Sequence, residues 1–99
     1  MNNWKIPEAM ENEIRKRDRK CVYCGIIFSD EKRPTWEHII NDENIITLEN
    51  IALCCRSCNS SKSNRLLKDW LERNYCKNKY ITYSTVAPII QQALNEHKK

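Results

Sequence analysis

Glycine and phenylalanine each occur once in 99 residues, histidine twice and proline three times. With 40% hydrophobic residues, so little glycine argues for a folded domain and against a disordered tail. No apolar run approaches the roughly 18 residues that a membrane span needs. The first residues, Met-Asn-Asn-Trp-Lys-Ile-Pro-Glu, lack the apolar core and small-residue cleavage site of a secretory signal. Internal repeats, low-complexity segments and a convincing linker are also missing. The chain therefore reads as one small domain over residues 1–99, expected in a reducing cytoplasm. A domain of this size buries limited surface and commonly needs a staple.

Cysteine, by contrast, is plentiful. Six cysteines in a reducing compartment read as metal ligands more readily than as disulfides. Four form two Cys-x-x-Cys pairs, Cys21/Cys24 and Cys55/Cys58, separated by 30 residues. That is the two-knuckle arrangement of a structural zinc site, in which four thiolates close a tetrahedron. Cys54 and Cys76 are spare. Only Cys55 has the two-residue gap to Cys58, and a free cysteine is commonly a small buried hydrophobe.

Charge is unevenly spread. The net value is only +4, but residues 15–20 read Arg-Lys-Arg-Asp-Arg-Lys, and residues 56–79 carry seven Lys or Arg against Asp69 and Glu72. Residues 34–50 hold Glu37, Asp42, Glu43 and Glu49 with no Lys or Arg at all. An acidic middle between basic flanks suits a cation site set within a polyanion-binding surface.

A first helix is expected over 7–18, with Pro7 in its first turn. Cys-Val-Tyr-Cys-Gly at 21–25 reads as a zinc knuckle, its glycine permitting the tight turn. Residues 35–40 are aromatic and β-branched and read as a strand, with a second, broken strand over 45–53. The main helix is expected over 58–74. At about 100° per residue, Asn59, Ser63, Leu66, Leu67 and Trp70 share its packing stripe, with Lys62 on the shoulder. A last helix from 84 or 85 to 96 must place Pro88 in its first turn or start later.

Cys-Val-Tyr-Cys-Gly, then Trp-Glu-His-Ile-Ile, then Asn-Ile-Ala-Leu-Cys-Cys-Arg-Ser-Cys-Asn-Ser-Ser-Lys resembles the zinc-stapled HNH endonucleases. The resemblance runs from residue 21 to about 62. It implies an α+β, ββα-metal core over about 21–74, flanked by N- and C-terminal helices. It implies His38 as general base, Glu37 and Asn59 as holders of a catalytic metal, and Asn50 as the lock of the hairpin loop. Lys62 matches a lysine often found one turn into the family's helix. The third motif letter is Asn59, which makes an HNN variant. Glu37 stands where the family more often has Asp, and the usual glycine-containing turn is replaced by residues 41–49.

The chemistry also follows from the residue types. Hydrolysis of a phosphodiester needs an activated water, stabilisation of phosphoryl charge and relief of the leaving alkoxide. An imidazole with an ordinary pKa near 6.5 accepts a proton at neutral pH. A carboxylate and a carboxamide oxygen suit Mg²⁺ or Mn²⁺. A lone Glu-His pair on a strand is more often structural, because alternation sends neighbours to opposite faces. Both serve one site only where the strand ends or bulges. The joint pattern points to a metal-dependent endonuclease acting on double-stranded DNA with low sequence specificity, as monomer or homodimer. Lys62, Arg65, Arg15, Arg17 and Arg19 are its expected phosphate contacts. The alternative is a zinc-knuckle nucleic-acid-binding module without catalysis. Trp36 and Trp70 read as packing, Trp4 as packing or a stacking platform, and His97 has no assigned role.

Overall fold

Pro7 immediately precedes the first helix, α1 (Glu8–Arg17), and its fixed φ suits that position. Glu8 and Glu11 lie in the first turn and Arg15, Lys16 and Arg17 in the last, each favourable to the helix dipole. A computed structural model describes residues 6–40 and 45–96. Trp4, Asp42, Glu43 and His97 fall outside those ranges, so the readings of Trp4 and His97 lie beyond the described residues.

Helix α1 buries a single side chain, Ile14, which packs with Ile6, Ile51 and Leu53. Full burial of such a side chain contributes about 1.5–3 kcal/mol. A polar clamp adds direction to this contact. Arg17 pairs with both Asp18 oxygens at 2.7 and 2.8 Å and donates to the carbonyls of Leu48 and Ile51 at 2.6 and 2.8 Å. Asp18 in turn accepts the Leu53 N–H at 3.1 Å.

The knuckle after α1 closes as its glycine suggests. Gly25 has φ +79°, and its N–H reaches the Cys21 carbonyl at 3.0 Å. The sheet that follows has two antiparallel strands, β1 (Pro34–His38) and β2 (Ile51–Cys55). Its register runs from Pro34 opposite Cys55 to His38 opposite Ile51 without a bulge. The second strand starts later than expected. The Thr47 carbonyl takes the N–H groups of both Asn50 and Ile51, so 47–50 is a turn rather than extended chain.

Strand alternation divides the core into two clusters. Ala52 and Cys54 join Tyr23, Ile39 and Trp70 on one side. Ile51 and Leu53 join Ile6 and Ile14 on the other, with Trp36 against them. The single helix expected over 58–74 is instead three short ones: α2 (Arg56–Lys62), α3 (Leu67–Leu71) and α4 (Asn74–Asn78). The reason is local. Residues 57–64 hold four serines and two asparagines, whose side chains compete for backbone hydrogen bonds and lower helix propensity. The helix stops at Ser63, which adopts φ +48°. Trp70 then ties α3 back to α2 through Nε1 to Ser61 Oγ at 2.9 Å, and its ring meets Tyr23 edge-on at 4.9 Å. A final helix, α5 (Pro88–Glu96), begins at the proline and buries Ile90, Ala93 and Leu94. Ala87, just before it, donates to the Val22 carbonyl at 2.9 Å and anchors the helix to the knuckle. The fold is α+β, with β1, β2 and α2 as the ββα unit that the resemblance implied.

Candidate functional site

The sulfurs of Cys21, Cys24, Cys55 and Cys58 all lie within 4.8 Å of one another. Two come from the knuckle. Cys55 ends β2 and caps α2, accepting the Cys58 N–H at 3.4 Å, and Cys58 sits one turn further on. A tetrahedral site with Zn–S bonds of about 2.3 Å has sulfur–sulfur edges of about 3.8 Å. The Cys24–Cys55 edge is 3.7 Å, so the cage has the size that a metal ion such as zinc requires. Its electrostatics favour thiolate at Cys21. Donation from Cys58 and from backbone N–H groups holds that thiol down to about 5 against the opposing effect of burial. Burial pushes Cys24 up to about 11. Tyr75, on α4, donates its hydroxyl to Cys58 Sγ at 3.3 Å and lies 2.8 Å from Ser57 Oγ. Cys54 and Cys76 are fully buried in the main core and stand apart from the cage.

The second set of residues gathers where β1 meets α2. Asn59 donates its amide to Thr35 Oγ1 at 3.0 Å and to the Trp36 carbonyl at 3.1 Å. Two acceptors on the strand fix the amide end, and the carboxamide oxygen keeps no protein partner among the described residues. Thr35 and Glu37 share this face of β1 by alternation. Glu37 is only 4% exposed, and a single oxygen, Oε2, takes both the Tyr23 hydroxyl at 2.7 Å and the Lys62 ammonium at 3.0 Å. Burial raises the Glu37 pKa above the ordinary carboxylate range, against the pull of Lys62 and the Tyr23 hydrogen bond. Burial and the adjacent carboxylate also raise the Tyr23 phenol. Glu37 Oε1 takes no protein donor among the described residues. The two atoms without a protein hydrogen bond among the described residues are thus a carboxylate and a carboxamide oxygen, donor types suited to a hard divalent cation.

Asn50 spans the loop between the strands. Its Oδ1 accepts the Ile40 N–H at 2.7 Å, and its Nδ2 donates to the carbonyls of Ile40 and Ile45 at 3.2 and 3.0 Å. His38 closes β1 and is 8% exposed. The register assigns its side chain to the face of Trp36, opposite Glu37, and no bulge brings the two round. The fold therefore brings Glu37, Asn59 and Lys62 together and leaves His38 at the strand end on the other face.

Several expected phosphate contacts need correction. Lys62 is 0% exposed and ion-paired, not on a solvent-facing shoulder, because α2 packs its Asn59–Lys62 side onto β1. Its ammonium also lies 3.4 Å from the His38 carbonyl. The Arg17 guanidinium is committed to Asp18 and two backbone carbonyls. Arg15 pairs with Glu11 at 3.3 Å and sits 5.1 Å from the Trp36 ring centroid. Arg19 is exposed, and Arg65 is half-buried with one donor on the Ser61 carbonyl. The residue that sequence reasoning missed is Tyr23. Its position between two cysteines of the cage, inside the Cys-x-x-Cys gap, is the signal in the sequence that could have found it.

Residues 21–65 match the family model described as HNH endonuclease. That segment belongs to the HNH family. No curated protein and no solved structure shows a significant match to the chain. The HNH segment contains the whole cysteine cage together with Glu37, His38, Asn50 and Asn59, and it ends at Arg65, before α3. Among the described residues no helix is long and apolar enough to cross a membrane.

Proposed function

We propose that this chain is a metal-dependent endonuclease of the HNN type that hydrolyses DNA phosphodiester bonds. The observation that supports the reading is that Glu37 Oε1 and Asn59 Oδ1 take no protein hydrogen bond among the described residues, within a ββα unit that ends its first strand on His38. Cys21, Cys24, Cys55 and Cys58 hold a structural zinc, whose binding free energy is folding free energy in a domain of this size. His38 takes the proton of the attacking water. Asn50 keeps the loop beyond His38 in register, so that the imidazole stays at the strand end. Glu37 and Asn59 would hold Mg²⁺ or Mn²⁺, which when bound supplies Lewis-acid stabilisation of phosphoryl and leaving-group charge. Tyr23 and Lys62 orient the Glu37 carboxylate by occupying its other oxygen.

The substrate on this reading is double-stranded DNA, gripped through phosphates with little sequence preference. A second reading, a zinc module that binds nucleic acid without cutting it, draws support from one observation. The Glu37 carboxylate already has a buried cation, and the strand register turns His38 away from it. Plasmid cleavage across a series of divalent metals, at saturating zinc, separates the two. Cutting that requires the added metal supports the nuclease, and binding without cutting in every metal supports the module.

A further inference from the structure

Across the C-terminal end of the HNH segment, the surface between α2 and α3–α4 forms an open groove of about 650 Å³. Ser60 and Ser61 stand on one wall, directly after Asn59 in the chain, and Arg73, Asn74 and Tyr75 stand on the other, with Arg65 also lining it. Glu72 is the one acidic lining residue. Neither Arg65 nor Arg73 has an ion-pair partner among the described residues. A third cation extends the same edge, because Lys79 Nζ lies 5.1 Å from the centroid of the Tyr75 ring. Tyr75 is itself fixed, stacked on Trp70 at 5.9 Å and hydrogen-bonded to Cys58. Tyr75, the wall residue beside Lys79, is therefore tied to the cysteine cage and the core. Just past α4, Tyr80 is 80% exposed and held at φ +57°, with its carbonyl accepting the Thr85 hydroxyl at 3.0 Å.

Such a groove is wrong for a small apolar ligand. It offers guanidinium forks, hydroxyls and a carboxamide, the donors that contact phosphate oxygens, and its wall residue Ser60 follows Asn59 directly in the chain. We propose that this groove is a nucleic-acid backbone track, in which Arg65 and Arg73 each take a phosphate of the strand leaving the catalytic face. Lys79 and Tyr80 mark its far end, where an exposed ring beside a cation suits a base or sugar. The proposal rests on the nuclease reading for the direction of the strand, but the track itself binds whether or not the chain cuts.

The test uses full-length, zinc-loaded protein and a short fluorescein-labelled DNA duplex of arbitrary sequence, with no added magnesium or manganese. Binding is read by anisotropy over a range of salt concentrations. Each phosphate contact contributes about 0.9 to the log–log salt slope, so R65Q/R73Q should flatten it by about 1.8. R73Q alone should flatten it by about 0.9, and since Arg73 is exposed with no side-chain bond among the described residues, that variant folds even if the double variant does not. Glu72→Gln should tighten binding, because it removes the acid beside the track. A wild-type slope in R73Q, or weaker binding in Glu72→Gln, overturns the proposal. Failure of cutting by the wild-type protein, with these slope changes intact, sinks the nuclease reading and leaves the track standing.

Discussion

Replacing Lys62 by Met removes the ammonium and keeps most of the side-chain volume, so the effect isolates the charge. Lys62 is fully buried, its partner Glu37 is 4% exposed, and the two are 3.0 Å apart. Breaking a buried pair from one side typically costs about 3–5 kcal/mol, because the remaining charge stays desolvated. A chain of 99 residues has a total stability of about 5–15 kcal/mol, so the loss is a large fraction of it. Each kcal/mol lowers Tm by about 4–8 °C at this size, which places the drop at about 12 °C or more. The sign of the pH dependence is also fixed. Burial raises the Glu37 pKa in the folded state, so stability from this group is fully present below its unfolded pKa and is lost as pH rises through the folded one. Without Lys62 the loss is steeper, and the gap between variant and wild type should widen from acid towards neutral pH. The comparison at each pH cancels the shared zinc term. Adding Glu37→Gln should recover most of the stability, since a neutral pair in the same space is often as good as the ion pair. The assay is thermal and urea unfolding by circular dichroism at saturating zinc. A Lys62→Met protein within about 1 kcal/mol of wild type at neutral pH would mean that the Lys62–Glu37 pair contributes no more than a solvated surface pair.

Two further outcomes are expected. Tyr75→Phe removes the hydroxyl donated to Cys58 Sγ and should weaken zinc retention about 10–100-fold in a chelator competition, with the helix content kept; unchanged retention would remove Tyr75 from the support of the cage. Asn50→Ala deletes three hydrogen bonds that hold the hairpin loop and should cost about 1–3 kcal/mol in urea unfolding, with faster amide exchange at Ile40; native exchange there would mean that the loop is held by other contacts.

The cysteine cage was legible in the sequence because ligand spacing is local: a two-residue gap on each side fixes which sulfurs can converge. The strand carrying Glu37 and His38 was legible from its aromatic and β-branched run. The environment of Glu37 was not. Its partners Tyr23 and Lys62 lie 14 and 25 positions away, and only the packing of knuckle and helix onto β1 brings them to one oxygen. Helical spacing places Lys62 on the shoulder of the Asn59 stripe, but nothing local shows that a buried carboxylate, Glu37, faces it there and takes the ammonium that was expected on a phosphate. The break at Ser63 was obscured by apolar residues at 66, 67 and 70 that continue a helical period across it. Arg17 shows the same limit from the other side, since nothing local marks one arginine of a basic run as a clamp on a distant hairpin.

The role proposed for His38, as base of a phosphodiester hydrolase, stands or falls on plasmid cleavage by His38→Ala. With zinc content, melting temperature and DNA affinity matched to wild type, and Mg²⁺ or Mn²⁺ supplied, the rate should fall by about 10²–10⁴-fold, the usual contribution of a general base. Cleavage at the wild-type rate by that folded, zinc-loaded variant would mean that His38 is not the base.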